Sequence, residues 1–265
     1  MRIARFSTGG DPAFGIVELA ADGGKHPDTI STLTGDPISM PVQLSGERHE
    51  LEAVRLLAPV IPRSKVIGVG RNYAAHAAEL GNEVPVVPLL FFKPNTSVIG
   101  PDEPIIYPEP VQELAYEGEL ALVIGRICRD VPPERVDEVI FGYTVANDVT
   151  ARDLQKSDGQ WARAKGYDTF CPLGPWITTH QSVAEMGDVM ITTTVDGEQR
   201  QHGSTSLMLR DITELVVYIS SFTTLLPGDV ILTGTPAGVG ELLPGHEVEV
   251  TVDGIGTLTN TVIRK

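Results

Sequence analysis

Apolar positions along the chain recur mostly at every second residue, in short bursts, and only rarely with helical spacing. Alternation or β-branched enrichment predicts strands over residues 3–6, 14–20, 65–69, 89–92, 120–124, 139–146, 189–195, 229–232, 247–252 and 256–263. Helical spacing is clearest over 212–222, where Ile212, Leu215, Val216, Ile219 and Phe222 share one face. Shorter helices are expected over 74–80, over 133–139 with a proline in the first turn, and over 151–156. Residues 45–57 are polar and read as one more helix, and Gly23-Gly24 reads as a turn. Pro59 and Pro62 bracket a linker, which places a boundary near residue 60. A small N-terminal subdomain of residues 1–60 then precedes a main domain of residues 61–265. Helices do not alternate strictly with strands, so a doubly wound parallel sheet is disfavoured. The expectation is a mixed α/β fold, predominantly β and mostly antiparallel.

Composition sharpens this in three ways. Gly 27 and Pro 20 in 265 residues favour many turns and exclude a coiled coil. Lys+Arg 20 against Asp+Glu 35 leaves a formal charge of -15, a field that repels nucleic acid and anionic membranes. Small anions are not excluded, because a local cation overrules a distant net charge. No run approaches the roughly 18 apolar residues of a membrane helix, and no signal peptide is visible at Met1-Arg2-Ile3-Ala4-Arg5-Phe6. Two cysteines, Cys128 and Cys171, read as reduced thiols filling space, and a cytoplasmic protein is expected.

Candidate chemistry begins at Glu117-Gly118-Glu119, which opens the apolar run 120–124. Residues two apart on a strand share a face, so the two carboxylates project side by side, with Gly118 leaving room for a backbone on the opposite face. Adjacent like charges raise each other's pKa unless a cation lies between them. Asp148 follows the strand at 139–146 and supplies a third carboxylate. Three carboxylates without clustered Cys or His form a hard oxygen site, suited to Mg²⁺ or Mn²⁺, or to Ca²⁺, and not to Zn²⁺. By spacing alone, such a pair is more often a solvated strand edge. His76 and Glu79 lie three apart on a short helix, the pairing a general base needs, although a surface pair is the commoner meaning of that spacing. Lys165-Gly166 reads as a loop presenting an ammonium group, and 232–240 as a glycine-rich turn that lacks the ending of a nucleotide-binding loop.

Taken in order, Gly-Arg-Asn-Tyr-x-x-His-x-x-Glu at 70–79, Phe-Phe-Lys-Pro at 91–94, Glu-Gly-Glu-Leu-Ala-Leu-Val-Ile-Gly at 117–125, Asn-Asp-Val-Thr-Ala-Arg-Asp-Leu-Gln at 147–155, Lys-Gly-Tyr-Asp-Thr-Phe-Cys-Pro at 165–172 and Thr-Gly-Thr-Pro-Ala-Gly-Val-Gly at 233–240 resemble the fumarylacetoacetate hydrolase family over residues 60 to 265. The resemblance implies a mixed β-sandwich roll, a homodimer, and a site holding Mg²⁺ or Mn²⁺. It implies Glu117, Glu119 and Asp148 as metal ligands, His76 and Glu79 as the base dyad, and Lys165 as the group stabilising an enolate, with Thr169 near the metal. Gln155, Thr235 and Arg71 match substrate-side positions, and Lys93 lies in a matching motif. The implied substrate is a small 2-oxo acid or 2-hydroxy-dienoate. The implied reaction is that of a 2-hydroxyhepta-2,4-diene-1,7-dioate isomerase or a C–C hydrolase of acylpyruvates or fumarylpyruvate. Oxaloacetate decarboxylation or tautomerisation, and a non-enzymatic cation-binding protein, are the alternatives.

Overall fold

Strands outnumber helices in the computed structural model, which describes residues 1–21, 26–79, 81 and 83–264. The turn expected at Gly23-Gly24 and the end of the 74–80 helix at Leu80 lie outside the described residues. A large mixed sheet runs in the order Leu44–Glu50, Thr29–Leu33, Ala13–Glu18, Arg2–Ser7, Cys171–Thr178, Ile140–Asn147, Gly118–Ile124, Val230–Leu232, Val66–Gly70, Leu89–Lys93. Its neighbours are antiparallel except Val230–Leu232 with Val66–Gly70. The first sixty residues thus extend the same sheet, joined through Arg2↔Thr178 and Ile3↔Ile177.

A second sheet, in the order Glu198–Ser204, Met190–Val195, Glu247–Val252, Gly256–Arg264, Ile105–Tyr107, packs against the centre of the first and closes a sandwich. Gly118–Ile124 is buried throughout, so its run is continuously apolar and its alternate residues enter two different cores. Leu120, Leu122 and Ile124 join the core that includes Val248, Val250 and Leu258 of the second sheet. Ala121 and Val123 join a separate cluster with Val66, Cys171, Leu173 and Leu232. This division decides which way the acidic residues before Leu120 point.

Two expectations need correction, and one central strand was not expected at all. Residues 45–57 are not helical; Leu44–Glu50 is the polar outer strand of the large sheet, followed by a single turn at Leu51–Ala53 and the strand Arg55–Leu57. Its polarity reflects exposure at an edge, where Arg48 pairs with Glu18 at 2.5 Å and donates to Thr29 Oγ1. Cys171–Thr178 is a fully buried central strand despite Pro172 and Pro175. A register shift opposite Tyr143 to Val145 absorbs the irregularity, and Thr144 Oγ1 donates to Gly174 O at 3.1 Å. Lys165 stands near the end of a short helix, Ala162–Gly166, and not on a loop.

The longest helix, Ile212–Phe222, begins with a reciprocal cap between Asp211 and Glu214 and buries Ile212, Leu215, Val216 and Ile219, leaving Phe222 49% exposed at its end. Among the described residues, no helix is long and apolar enough to cross a membrane. Both cysteines are free thiols, Cys171 buried and Cys128 half-buried.

Candidate active site

Glu117 links the strand Leu114–Tyr116 to Gly118–Ile124, and Glu119 is the second residue of the latter. Both side chains lie on the face opposite Gly118, which meets the second sheet. A Cβ at Gly118 would stand 2.2 Å from Thr193 Oγ1 and 2.9 Å from Val250 Cγ1, so side chains, rather than the backbone expected, demand the glycine. Asp148 leaves the end of Ile140–Asn147 and is tied back by its own N–H, which donates to Glu117 O at 2.8 Å. One carboxylate oxygen from each of Glu117, Glu119 and Asp148 lies within 4.8 Å of the others, and all three residues are buried.

Three buried cations surround them. Lys165 Nζ donates to Glu117 Oε2 at 2.8 Å and to Asp148 Oδ2 at 2.6 Å. Arg152 Nη1 lies 2.6 Å from Glu117 Oε1, and Lys93 Nζ donates to Asp148 Oδ1 and to Val149 O. Burial pushes the Glu117 carboxyl up, but Lys165, Arg152 and His76 together hold it well below the usual carboxylate range. Burial also works against the Lys165 ammonium, and Asp148 and Glu117 outweigh it and raise its pKa.

Glu119 is different. It is 1% exposed, its carboxylate accepts from Gly234 N–H at 2.7 Å, and no cation lies within ion-pair distance of it among the described residues. Burial, with Asp148 and Glu117 alongside, pushes its carboxyl well above the usual range. A buried carboxylate beside two others and lacking a counter-ion suits a positive charge at that point, and the all-oxygen donor set suits a hard divalent ion.

Above this cluster opens a cavity of about 430 Å³. Its lining brings together Arg71, His76, Glu117, Gln155, Lys165 and Thr235, whereas Glu119, Asp148 and Glu79 do not line it. His76 and Glu79 share the helix Ala74–Glu79, with His76 Nδ1 3.5 Å from Glu79 Oε2 and no hydrogen bond aligned between them. The Glu79 carboxylate instead accepts from Gly238 N–H at 3.1 and 3.2 Å. Burial lowers the His76 pKa below its ordinary 6.5 against the opposing pull of Glu117, so the imidazole is neutral at neutral pH. Gln155 Oε1 accepts from Arg152 Nη1 at 2.9 Å. Arg71 adopts a φ of 56° and sets its guanidinium 5.9 Å from the Trp161 ring, with no ion pair among the described residues. The Thr235 hydroxyl is occupied, donating to Gly118 O at 2.8 Å and accepting from Gln201 Nε2 at 2.7 Å. Thr169 lies outside the cavity lining, and its hydroxyl accepts from Ile106 N–H at 2.9 Å.

Sequence reasoning missed Arg152 and Trp161. Arg152 falls four residues after Asp148, where a lone arginine at the start of a helix reads as a surface group. Trp161 ends the polar stretch Ser157-Asp158-Gly159-Gln160, where only its size stood out.

Residues 65–263 match the fumarylacetoacetate (FAA) hydrolase C-terminal family, and residues 1–59 match the family described as Rv2993c-like, N-terminal. The chain belongs to the fumarylacetoacetate hydrolase family. Its fold is shared with the crystal structure of 5-carboxymethyl-2-hydroxymuconate delta-isomerase from Mycobacterium smegmatis, at 50% identity over 100% of both chains with a TM-score of 0.90. It is also similar to fumarylpyruvate hydrolase from Pseudomonas aeruginosa, solved in complex with Mn²⁺ and pyruvate, at 36% identity over 77% of this chain and 91% of that one, with a TM-score of 0.73. Oxaloacetate tautomerase YisK of Bacillus subtilis is 38% identical over 93% of this chain and 86% of its own length. An enzyme of this family, of isomerase or hydrolase type, is what these likenesses share.

Proposed function

We propose that the protein is a Mg²⁺- or Mn²⁺-dependent isomerase of 2-hydroxy-dienedioates, of the 2-hydroxyhepta-2,4-diene-1,7-dioate type, working through the enolate of a 2-oxo acid. The observation that carries this is Glu119, buried with no counter-ion among the described residues beside Glu117 and Asp148, next to a cavity whose wall holds Glu117, Lys165 and His76. Glu117, Glu119 and Asp148 would hold the cation, and when bound it supplies Lewis-acid stabilisation to the oxygens of a 2-oxo carboxylate. The chain's own groups account for the rest. The Lys165 ammonium is fixed by two carboxylates and reaches the cavity, where it stabilises negative charge on an enolate oxygen. His76, neutral and lining the same space, takes the enol O–H proton of the 2-hydroxy-diene, and a proton returned to a carbon farther along the chain completes the 2-oxo product. Arg71 offers an uncommitted guanidinium to the far carboxylate of a dicarboxylate, and the NH₂ of Gln155 has no partner among the described residues.

The His76–Glu79 pair favours a second reading, C–C hydrolysis of an acylpyruvate. A neutral imidazole backed by a carboxylate at 3.5 Å is the arrangement that takes a proton from water. Of the likenesses named above, the fumarylpyruvate hydrolase supports this reading and the delta-isomerase the first. The test is a panel with Mg²⁺ comparing a hydroxy-dienedioate, acetylpyruvate, fumarylpyruvate and oxaloacetate, beside calorimetric Mn²⁺ titration of the wild type and Glu119→Gln. Isomerisation of the dienedioate, with Mn²⁺ binding lost in Glu119→Gln, is expected. Metal-independent turnover, or unchanged Mn²⁺ affinity in the variant, would defeat the proposal.

A further inference from the structure

Gln201 stands outside every motif singled out in the sequence and does not line the cavity, yet it is completely buried and all four of its amide hydrogen-bonding positions are used. Oε1 accepts from Gly118 N–H at 2.9 Å and from Thr193 Oγ1 at 2.8 Å. Nε2 donates to Thr235 Oγ1 at 2.7 Å and to Pro236 O at 2.8 Å. Two of these partners fix the amide's orientation without ambiguity. Gly118 N–H can only donate, so it needs the amide oxygen; Pro236 C=O can only accept, so it needs the NH₂. The Thr235 hydroxyl, receiving a proton from Nε2, must give its own elsewhere, and it gives it to Gly118 C=O at 2.8 Å.

The result is a closed ring from Gly118 N–H through Gln201 and Thr235 back to Gly118 C=O. It grips both polar groups of the residue that separates Glu117 from Glu119. The same strand also backs the turn beyond Thr235. A Cβ at Gly203 would stand 2.6 Å from Pro236 Cβ, and one at Gly238 would stand 2.1 Å from Arg200 O. Arg200 is the extra residue of a bulge, since Thr193 pairs with Gln201 and Thr194 with Gln199, and Gln201 faces inward opposite the buried Thr193.

We infer that Gln201 is a positioning residue for the acidic centre: through the Gly118 peptide and the Thr235 hydroxyl it sets the spacing of Glu117 and Glu119 and locks the 233–238 turn to them. The Thr235 side chain is thereby a strut, its hydroxyl proton committed to Gly118. This rests on the metal-centre proposal only for its metal readout; the hydrogen-bond ring is independent of it.

The test compares Gln201→Met with Thr193→Val, which removes one bond to the same amide on the side away from the carboxylates. Two readouts are taken on folded protein well below each melting temperature: hydrogen–deuterium exchange of peptides covering 114–120 and 233–238, and Mn²⁺ titration by calorimetry. Gln201→Met should lose protection in both peptides and bind Mn²⁺ on the order of tenfold more weakly, as outer partners of metal ligands do. Thr193→Val should lower the melting temperature while leaving Mn²⁺ affinity at the wild-type value. Equal affinity in Gln201→Met, or the same loss in both variants, overturns the inference. If the wild type binds no Mn²⁺, the metal-centre proposal has failed and exchange alone decides: lost protection upholds the ring, and unchanged protection overturns it. Should Gln201→Met not fold, Gln201→Glu keeps the acceptor for Gly118 and lacks the donor for Pro236, so loosening confined to 233–238 is the supporting result and no loosening the contrary one.

Discussion

Replacing Lys165 by methionine removes a positive charge that is 2% exposed and lies 2.6 and 2.8 Å from two carboxylates. Each contact at that separation represents roughly 6 kcal/mol of attraction at an effective dielectric near 20. Desolvation of the ammonium offsets most of it, and loss of one partner from a buried ion pair costs about 3–5 kcal/mol. The substitution also turns a formally balanced set, with Lys93, Lys165 and Arg152 against Glu117, Glu119 and Asp148, into one with an excess negative charge. For a chain of this size, the drop in melting temperature is about 6–20 °C. The pH dependence has a definite sign. Glu117 is held below its ordinary value in the fold, so its contribution is present above pH 4.5 and fades as pH falls through the folded value. Without Lys165 that depression relaxes, and the gap between variant and wild type narrows as the solution is acidified below 4.5. Urea unfolding with EDTA present, followed by tryptophan fluorescence at neutral and acid pH, measures both effects. A loss under 1 kcal/mol at neutral pH, or a gap that widens on acidification, refutes the reasoning.

Gly118→Ala forces a carbon into the space of Thr193 Oγ1 and should cost about 1–3 kcal/mol by urea unfolding, with part recovered when Thr193→Ala is added; a neutral Gly118→Ala would show that the sheets have slack there. Because burial lowers the His76 pKa, the acid limb of kcat/KM against pH should lie below 6.5 and vanish in His76→Asn; a limb above 6.5 would assign the proton transfer to another group. His76→Ala should slow dienedioate isomerisation by about 10²-fold or more, as loss of a general base does, and unchanged isomerisation would assign the proton transfer to another group.

The parts of the fold written in local pattern were legible. The Ile212–Phe222 helix follows from periodicity, because burial on one face leaves a regular trace, whereas the Gly118–Ile124 strand shows as an unbroken apolar run buried on both faces, before which Glu117 and Glu119 share a side. Cys171–Thr178 was not legible, since its prolines argue locally against the central position that long-range pairing gives it. The Leu44–Glu50 edge strand shows the converse: hydrogen bonds to one neighbour hold it, and side-chain polarity says little about that. At the site, the three carboxylates stood out as charge at apolar boundaries, but that spacing alone reads more often as a solvated strand edge, and it was the ordered motifs of the family that marked them as ligands. Gln201 gave no such signal, because a lone glutamine among Glu198, Gln199, Arg200 and His202 reads as one more solvated residue until the opposite sheet is in place.

Since the ammonium, guanidinium and carboxylate groups at the cavity floor cancel formally, any divalent ion seated there is pure surplus: the floor becomes a small cationic island inside a molecule whose total charge is -15. A dianion approaching from solution therefore meets a repulsive exterior before an attractive interior. Dissolved salt weakens the long-range part first, over a screening length of about 8 Å at physiological strength. Capture of such substrates should consequently quicken with moderate salt, the reverse of the slowing seen where an enzyme's outer surface draws its ligand in.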